Sequence, residues 1–177
     1  MNVFVLNTGR CGSVSFIKAC RHIDNYSAGH ESRSTFTGQQ RLAYPDNHIE
    51  ADNRLSWLLG RLHESYGDRA FYVHLSRQAQ DTAASFIKRT EFGIMQAYRE
   101  GILMGGRPEQ SSLEQAHDYI ETVESNIRLF LHHKPNIMHF RLEHATRDFH
   151  TFWNRIGATG DLDRALDEWS VSHNASD

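Results

Sequence analysis

Val3-Phe4-Val5-Leu6-Asn7-Thr8-Gly9-Arg10-Cys11-Gly12-Ser13-Val14-Ser15 opens with four apolar residues, two of them β-branched, the pattern of a short buried strand. It then breaks on two glycines that flank Arg10, and Phe16, Ile17, Ala19 and Cys20 resume at helical spacing. A strand, a glycine loop and a helix N-terminus together aim backbone N–H groups and the positive end of the helix dipole at one anion. Arg10 adds a full charge and a bidentate fork. The stretch therefore predicts a local phosphate or sulfate site.

Working outward, the first helix is expected from about Ser13 to His22, and Tyr26 to Ser32 reads as a short strand ending in a polar loop. Residues 32–47 read as an unusually long surface loop. His48 to Ala51 suggests another strand, after which Asp52 or Asn53 caps a helix with Leu55, Leu58, Leu59 and Leu62 on one face. Ala70 to Leu75 is the second clear strand and runs into Ser76-Arg77. Asp81 is read as the cap of a helix from Thr82 to about Gly93, and the glycines before Pro108 predict a loop from Gly101. Leu113, Ala116, Ile120, Val123, Ile127 and Phe130 mark a helix of about twenty residues, which starts at Ser112 and is stopped by Pro135. A strand over Asn136 to Glu143 and a helix through Phe149, Phe152, Trp153 and Ile156, closed by Gly157, follow. The tail from Asp161 carries a short amphipathic piece and a polar end.

With 177 residues and no repeat or linker, the chain reads as one domain over 1–177. Strands alternating with helices predict an α/β three-layer sandwich with a central, mainly parallel sheet, whose strand ends at 7, 28, 51 and 76 share one ligand-binding edge. A net charge of −3 supplies no global basic field, so no nucleic-acid or membrane partner is expected and any anion site must be local. Two cysteines are too few for a disulfide framework, and the N-terminus lacks a basic segment ahead of its four-residue apolar run. Both point to a cytoplasmic protein.

The loop is not the nucleoside-triphosphate loop G-x-x-x-x-G-K-[ST], because Ser13 directly follows Gly12 and the cation comes earlier, at Arg10. The strand Phe71 to Leu75 ends in Ser76-Arg77, where a metal-dependent kinase would want a carboxylate. Cys11 invites a thiolate phosphatase reading, but the arginine that would close such a loop six residues on is replaced by Ile17. No metal-ligand spacing stands out among the histidines. Two cations at neighbouring strand ends suit a nucleotide with phosphates on both sides of its ribose.

At these residues the chain resembles the sulfotransferases that use 3′-phosphoadenosine 5′-phosphosulfate (PAPS). Thr8-Gly9-Arg10-Cys11-Gly12-Ser13 is similar to their 5′-phosphosulfate loop, and Arg77 with Ser85 and Arg89 to their 3′-phosphate motif. Arg141-Leu142-Glu143, followed by Phe152-Trp153, resembles the family's last strand and helix. The resemblance implies a P-loop-like fold, PAPS as cofactor and 3′-phosphoadenosine 5′-phosphate as product. It implies transfer of a sulfuryl group to a hydroxyl or amine of a small-molecule or carbohydrate acceptor.

Arg10, where the family more often has lysine, would clamp the phosphosulfate. Thr8, Gly9, Cys11, Gly12, Ser13, Val14 and Ser15 would complete the cradle, while Arg77, Ser85 and Arg89 would hold the 3′-phosphate. Glu31 is the first candidate for the base, followed by His30 and Asp52, and the acceptor would enter over residues 26–54 and 93–112. A nucleotide or small-molecule kinase and a non-catalytic nucleotide-binding module are the alternatives.

Overall fold

The computed structural model describes residues 1–170, so the polar end of the tail lies outside the described residues. Five strands form one parallel sheet: β1 (Val3–Leu6), β2 (Ser27–His30), β3 (His48–Ala51), β4 (Phe71–Ser76) and β5 (Ile137–Arg141), in the order β2-β3-β1-β4-β5. Every connection is a crossover, so all five carboxyl ends lie on one edge. Register fixes this: Val5 pairs with Ala51, Leu6 with His74, His30 with Ala51 and Ser76 with Arg141.

The central strand β1 is apolar on both sides because both faces of the sheet are covered there. Val3, Val5, Phe71, Val73 and Leu75 pack under α1 (Ser13–Cys20), α6 (Ala145–Ile156) and α7 (Leu162–Asp167), against Phe16, Phe149, Phe152 and Trp153. Phe4, Leu6 and Tyr72 point the other way, onto Leu62 of α2 (Leu59–Tyr66), Phe86 of α3 (Ala79–Ile87) and the Ala116, Ile120, Val123 and Ile127 stripe of α5 (Ser112–Leu131). The fold is the α/β three-layer sandwich that the alternation of strands and helices predicts.

Three expectations need correction. The helix after β3 is split: Asp52 caps a 3₁₀ turn (Asn53–Trp57) by accepting from Arg54 N at 2.8 Å, and α2 begins only at Leu59. Helix α3 starts earlier than expected, because the Gln78 carbonyl accepts from both the N–H and the hydroxyl of Thr82 (3.0 and 3.1 Å). Asp81 thus lies in its first turn, where a carboxylate suits the dipole without capping. Helix α3 also ends at Ile87, short of the expected Gly93; α4 (Gly93–Ala97) follows, and a π turn (Tyr98–Ile102) takes the first two residues of the expected loop. By contrast α5 begins where expected, closed by a capping box between Ser111 and Glu114. The long loop holds a 3₁₀ turn (Gly38–Leu42) pinned by buried Arg41 and Leu42.

Candidate functional site

The loop from Asn7 to Gly12 crosses the carboxyl edge between β1 and α1. Buried Asn7 is its scaffold: its amide donates to Val5 O (2.9 Å), while its Oδ1 accepts from Gly9 N (2.8 Å) and lies 3.5 Å from Cys11 Sγ. Two further bonds hold the outer strand of the loop, from Ser56 Oγ to Asn7 O (3.2 Å) and from Tyr119 Oη to Thr8 O (2.6 Å). Gly9, Arg10 and Gly12 adopt φ of +83°, +58° and +91°, so three of four consecutive residues are left-handed. Space is tight as well: a Cβ at Gly9 would sit 2.9 Å from Asn53 Nδ2, and one at Gly12 2.6 Å from Leu142 Cδ1, so either side chain would have to move. Arg10 holds the same conformation without glycine's freedom, the kind of backbone strain that collects at functional sites.

Around this loop three guanidinium groups gather. Arg10 Nε donates to Ser85 Oγ at 2.8 Å across 75 residues of sequence, and Arg77 Nη1 lies 3.4 Å from Arg10 O. Partial burial holds the Arg10 guanidinium below its ordinary range, and the nearby charges of Arg89 and Arg77 push it the same way. Asp81 lies 3.9 Å from Arg77 and is mostly exposed, a weak counter-charge; a second carboxylate, Glu143, is held below its ordinary range against burial by the Gln78 N–H and by Arg141 and Arg77. An anion entering here would meet Arg10 with two further guanidinium groups nearby. The N-terminus of α1 adds to it, since Gly12 offers no side chain to cap its first turn.

No family model and no curated protein matches the chain.

The structure brings Arg10, Arg77, Ser85 and Arg89 to one place and puts His30 beside them on the other flank of the loop, with its Nε2 3.0 Å from Ser13 Oγ. Glu31 is half-buried at φ +51° and pairs with Arg54 at 2.9 Å. The turn carrying both is pinned from below by buried Glu50, which accepts from Ser32 N (2.7 Å) and Ser32 Oγ (2.6 Å).

The side chains of the other expected site residues are buried or apolar. Asp52 is fully buried, bound by Arg41 Nη2 at 2.5 Å and by Arg54 N; burial pushes its carboxyl up, opposed by those two partners. It is a capping and ion-pairing group with no face toward an acceptor. Cys11 turns its side chain into the core, so only its backbone belongs to the cradle. Thr8 is buried with its hydroxyl on Gly9 O, and Ser15 is buried in α1. Val14, partly exposed, has no polar side chain to offer.

Burial raises the Cys11 thiol to about 12, outweighing the backbone N–H groups of Gly9, Cys11 and Ser13 that face its sulfur. Iodoacetamide at pH 8 is therefore expected to leave Cys11 unmodified in the folded protein and to alkylate it after unfolding, read by intact mass. Modification of the folded chain at the unfolded rate would contradict the burial.

Asn53, Arg54, Ser56 and Tyr119 are site residues that sequence reasoning passed over. The first three follow a strand end, the signal by which they were open to detection. Tyr119 falls three residues after Ala116 on the buried row of α5, where an aromatic ring reads as core. Among the described residues no group of three or more His, Cys, Asp and Glu side chains could hold a metal, and no helix is long and apolar enough to cross a membrane.

Proposed function

We propose that this chain is a sulfotransferase which moves a sulfuryl group from PAPS to a hydroxyl or amine. The observation that carries the reading is the convergence of Arg10, Arg77 and Arg89 on a strained glycine loop, at the carboxyl ends of the adjacent strands β1 and β4. One anion at the loop and a second at Arg77 match a nucleotide phosphorylated on both sides of its ribose. A triphosphate–metal pair fits less well, because the residue that follows β4 is a cation.

The residues then take these roles. Arg10, held by Ser85, lies where charge builds on the bridging oxygen as the old S–O bond breaks; its fixed charge stabilises that oxygen without needing to donate its proton. Ser13 and the N–H groups at the start of α1 bind the 5′ side. Arg77 and Arg89 bind the 3′-phosphate. His30, already hydrogen-bonded to Ser13, accepts the proton of the acceptor hydroxyl as the new S–O bond forms. Glu31 keeps Arg54 beside that hydroxyl, a supporting part in place of the base role that its sequence position suggests.

Arg77→Ala tests the assignment of the two anions. Losing one charge-assisted contact of about 1.5–3 kcal/mol should weaken 3′-phosphoadenosine 5′-phosphate roughly 10- to 100-fold while leaving 5′-AMP nearly unchanged, measured by calorimetric titration. Equal weakening of both ligands would remove Arg77 from the 3′ position.

A further inference from the structure

We propose that Glu50 is the positioning residue for His30, acting through Ser32 and backed by His48 and Ser27. The inference goes beyond the donor reading above and rests on it only for the task given to His30. The turn after β2 sends three successive side chains to three places: His30 to Ser13 of α1 (3.0 Å), Glu31 to Arg54 (2.9 Å) and Ser32 to Glu50. Two of these anchors decide little. Glu31 and Arg54 have side chains 35% and 38% exposed, where an ion pair contributes little. The His30–Ser13 bond spans the gap whose width is to be set.

The third anchor is fully buried. Glu50 Oε1 accepts from Ser32 N at 2.7 Å and Oε2 from Ser32 Oγ at 2.6 Å, and hydrogen bonds to a charged acceptor are the strong ones. The backbone leads the turn into this grip. Glu31 N donates to Ala51 O (3.0 Å), which carries the pairing with β3 one residue past β2, and Glu31 then turns at φ +51°. A Cβ at Gly29 would stand 2.6 Å from Glu50 Oε2 and 2.9 Å from Ser32 Cβ, so any side chain there would push the two apart.

Glu50 is itself held in place. His48, two residues earlier on the same face of β3, brings Nε2 to 3.0 Å from Glu50 Oε2, and its Nδ1 lies 2.8 Å from Ser27 Oγ. An ionised carboxylate only accepts, so Nε2 carries the proton and Nδ1 accepts from the Ser27 hydroxyl. The Tyr44 ring stacks on this imidazole at 5.4 Å and 12°. One hydrogen-bonded chain, Ser27–His48–Glu50–Ser32, thus runs beside β2 from its first residue to the turn beyond its last. Ser32 is exposed, where water could bond its N–H and hydroxyl. Burying a carboxylate to hold those groups costs desolvation that stability alone does not explain.

The test sets Glu50→Gln and Ser32→Ala beside the wild type in the whole protein. The NMR ring signals of His30, assigned through His30→Gln, should shift in both variants, while those of His150, exposed on α6, stay in place. With PAPS and 2-naphthol or glucosamine as probe acceptors, kcat should fall roughly 10- to 100-fold in Glu50→Gln and less in Ser32→Ala. Affinity for 3′-phosphoadenosine 5′-phosphate should hold in both, because Arg10, Arg77 and Arg89 stand on other elements. Ser32→Thr, which keeps the hydroxyl, should restore the His30 signals and kcat. If Glu50→Gln unfolds, Ser32→Ala at its exposed position carries the test. Unmoved His30 signals in the variants, or shifted signals with unchanged kcat, would overturn the inference. So would a parallel loss of nucleotide affinity, which would make Glu50 a general support of the fold. A wild type that binds no 3′-phosphoadenosine 5′-phosphate fails the donor reading alone. Where it transfers to neither probe, the His30 signals and the nucleotide affinity decide by themselves.

Discussion

Arg10→Gln should reduce kcat/KM for sulfuryl transfer roughly 10²- to 10³-fold, the loss typical of removing one preorganised donor from a developing anion. Glutamine keeps a donor for Ser85 but removes the charge. The same change should slightly raise the melting temperature of the ligand-free protein, because it removes a charge that partial burial first, and then the nearby Arg89 and Arg77, disfavour. Opposite signs for activity and stability are the signature of a site that stores electrostatic tension for a ligand. Calorimetry of the apo protein and steady-state kinetics check the two halves. A destabilised variant with unchanged turnover would make Arg10 a structural residue.

Asp52→Asn should be among the most destabilising conservative changes in the chain. Arg41 and Asp52 form a pair with side chains only 5% and 0% exposed, so removing the carboxylate strands a buried guanidinium. Breaking such a pair from one side costs about 3–5 kcal/mol. In a domain of this size that lowers the melting temperature by on the order of 10 °C. Arg41→Met/Asp52→Leu, which removes both charges, should recover a large part of the loss. If Asp52→Asn instead kept its stability and lost turnover, Asp52 would return to the list of bases.

Much of the architecture was legible because it follows periodicity. The strand Val3–Leu6 is apolar on both faces, and Ser111 and Glu114 announce the start of α5. The site was legible where a residue type and a strand end coincide, as at Arg10 and Arg77. It was opaque where partners come from loops. Nothing in the spacing of Arg41 shows that it folds back 11 residues to bury Asp52. Likewise the inward turn of Cys11 depends on the left-handed backbone of Gly9, Arg10 and Gly12, which no hydropathy pattern encodes. The end of α3 at Ile87 was hidden because the first glycine to stop it is Gly93, and the π turn at Tyr98–Ile102 has no periodic signature of its own.

The measurement closest to the central claim is the melting temperature of the protein with 3′-phosphoadenosine 5′-phosphate against the same protein with ATP and Mg²⁺. A ligand at 100 times its Kd adds about 2.7 kcal/mol of stability, and for a domain of this length that is a rise of roughly 5–10 °C. The doubly phosphorylated nucleotide should produce that rise, and ATP with Mg²⁺ little or none. A shift with ATP and Mg²⁺ alone would contradict the account and leave the cradle to a nucleoside triphosphate.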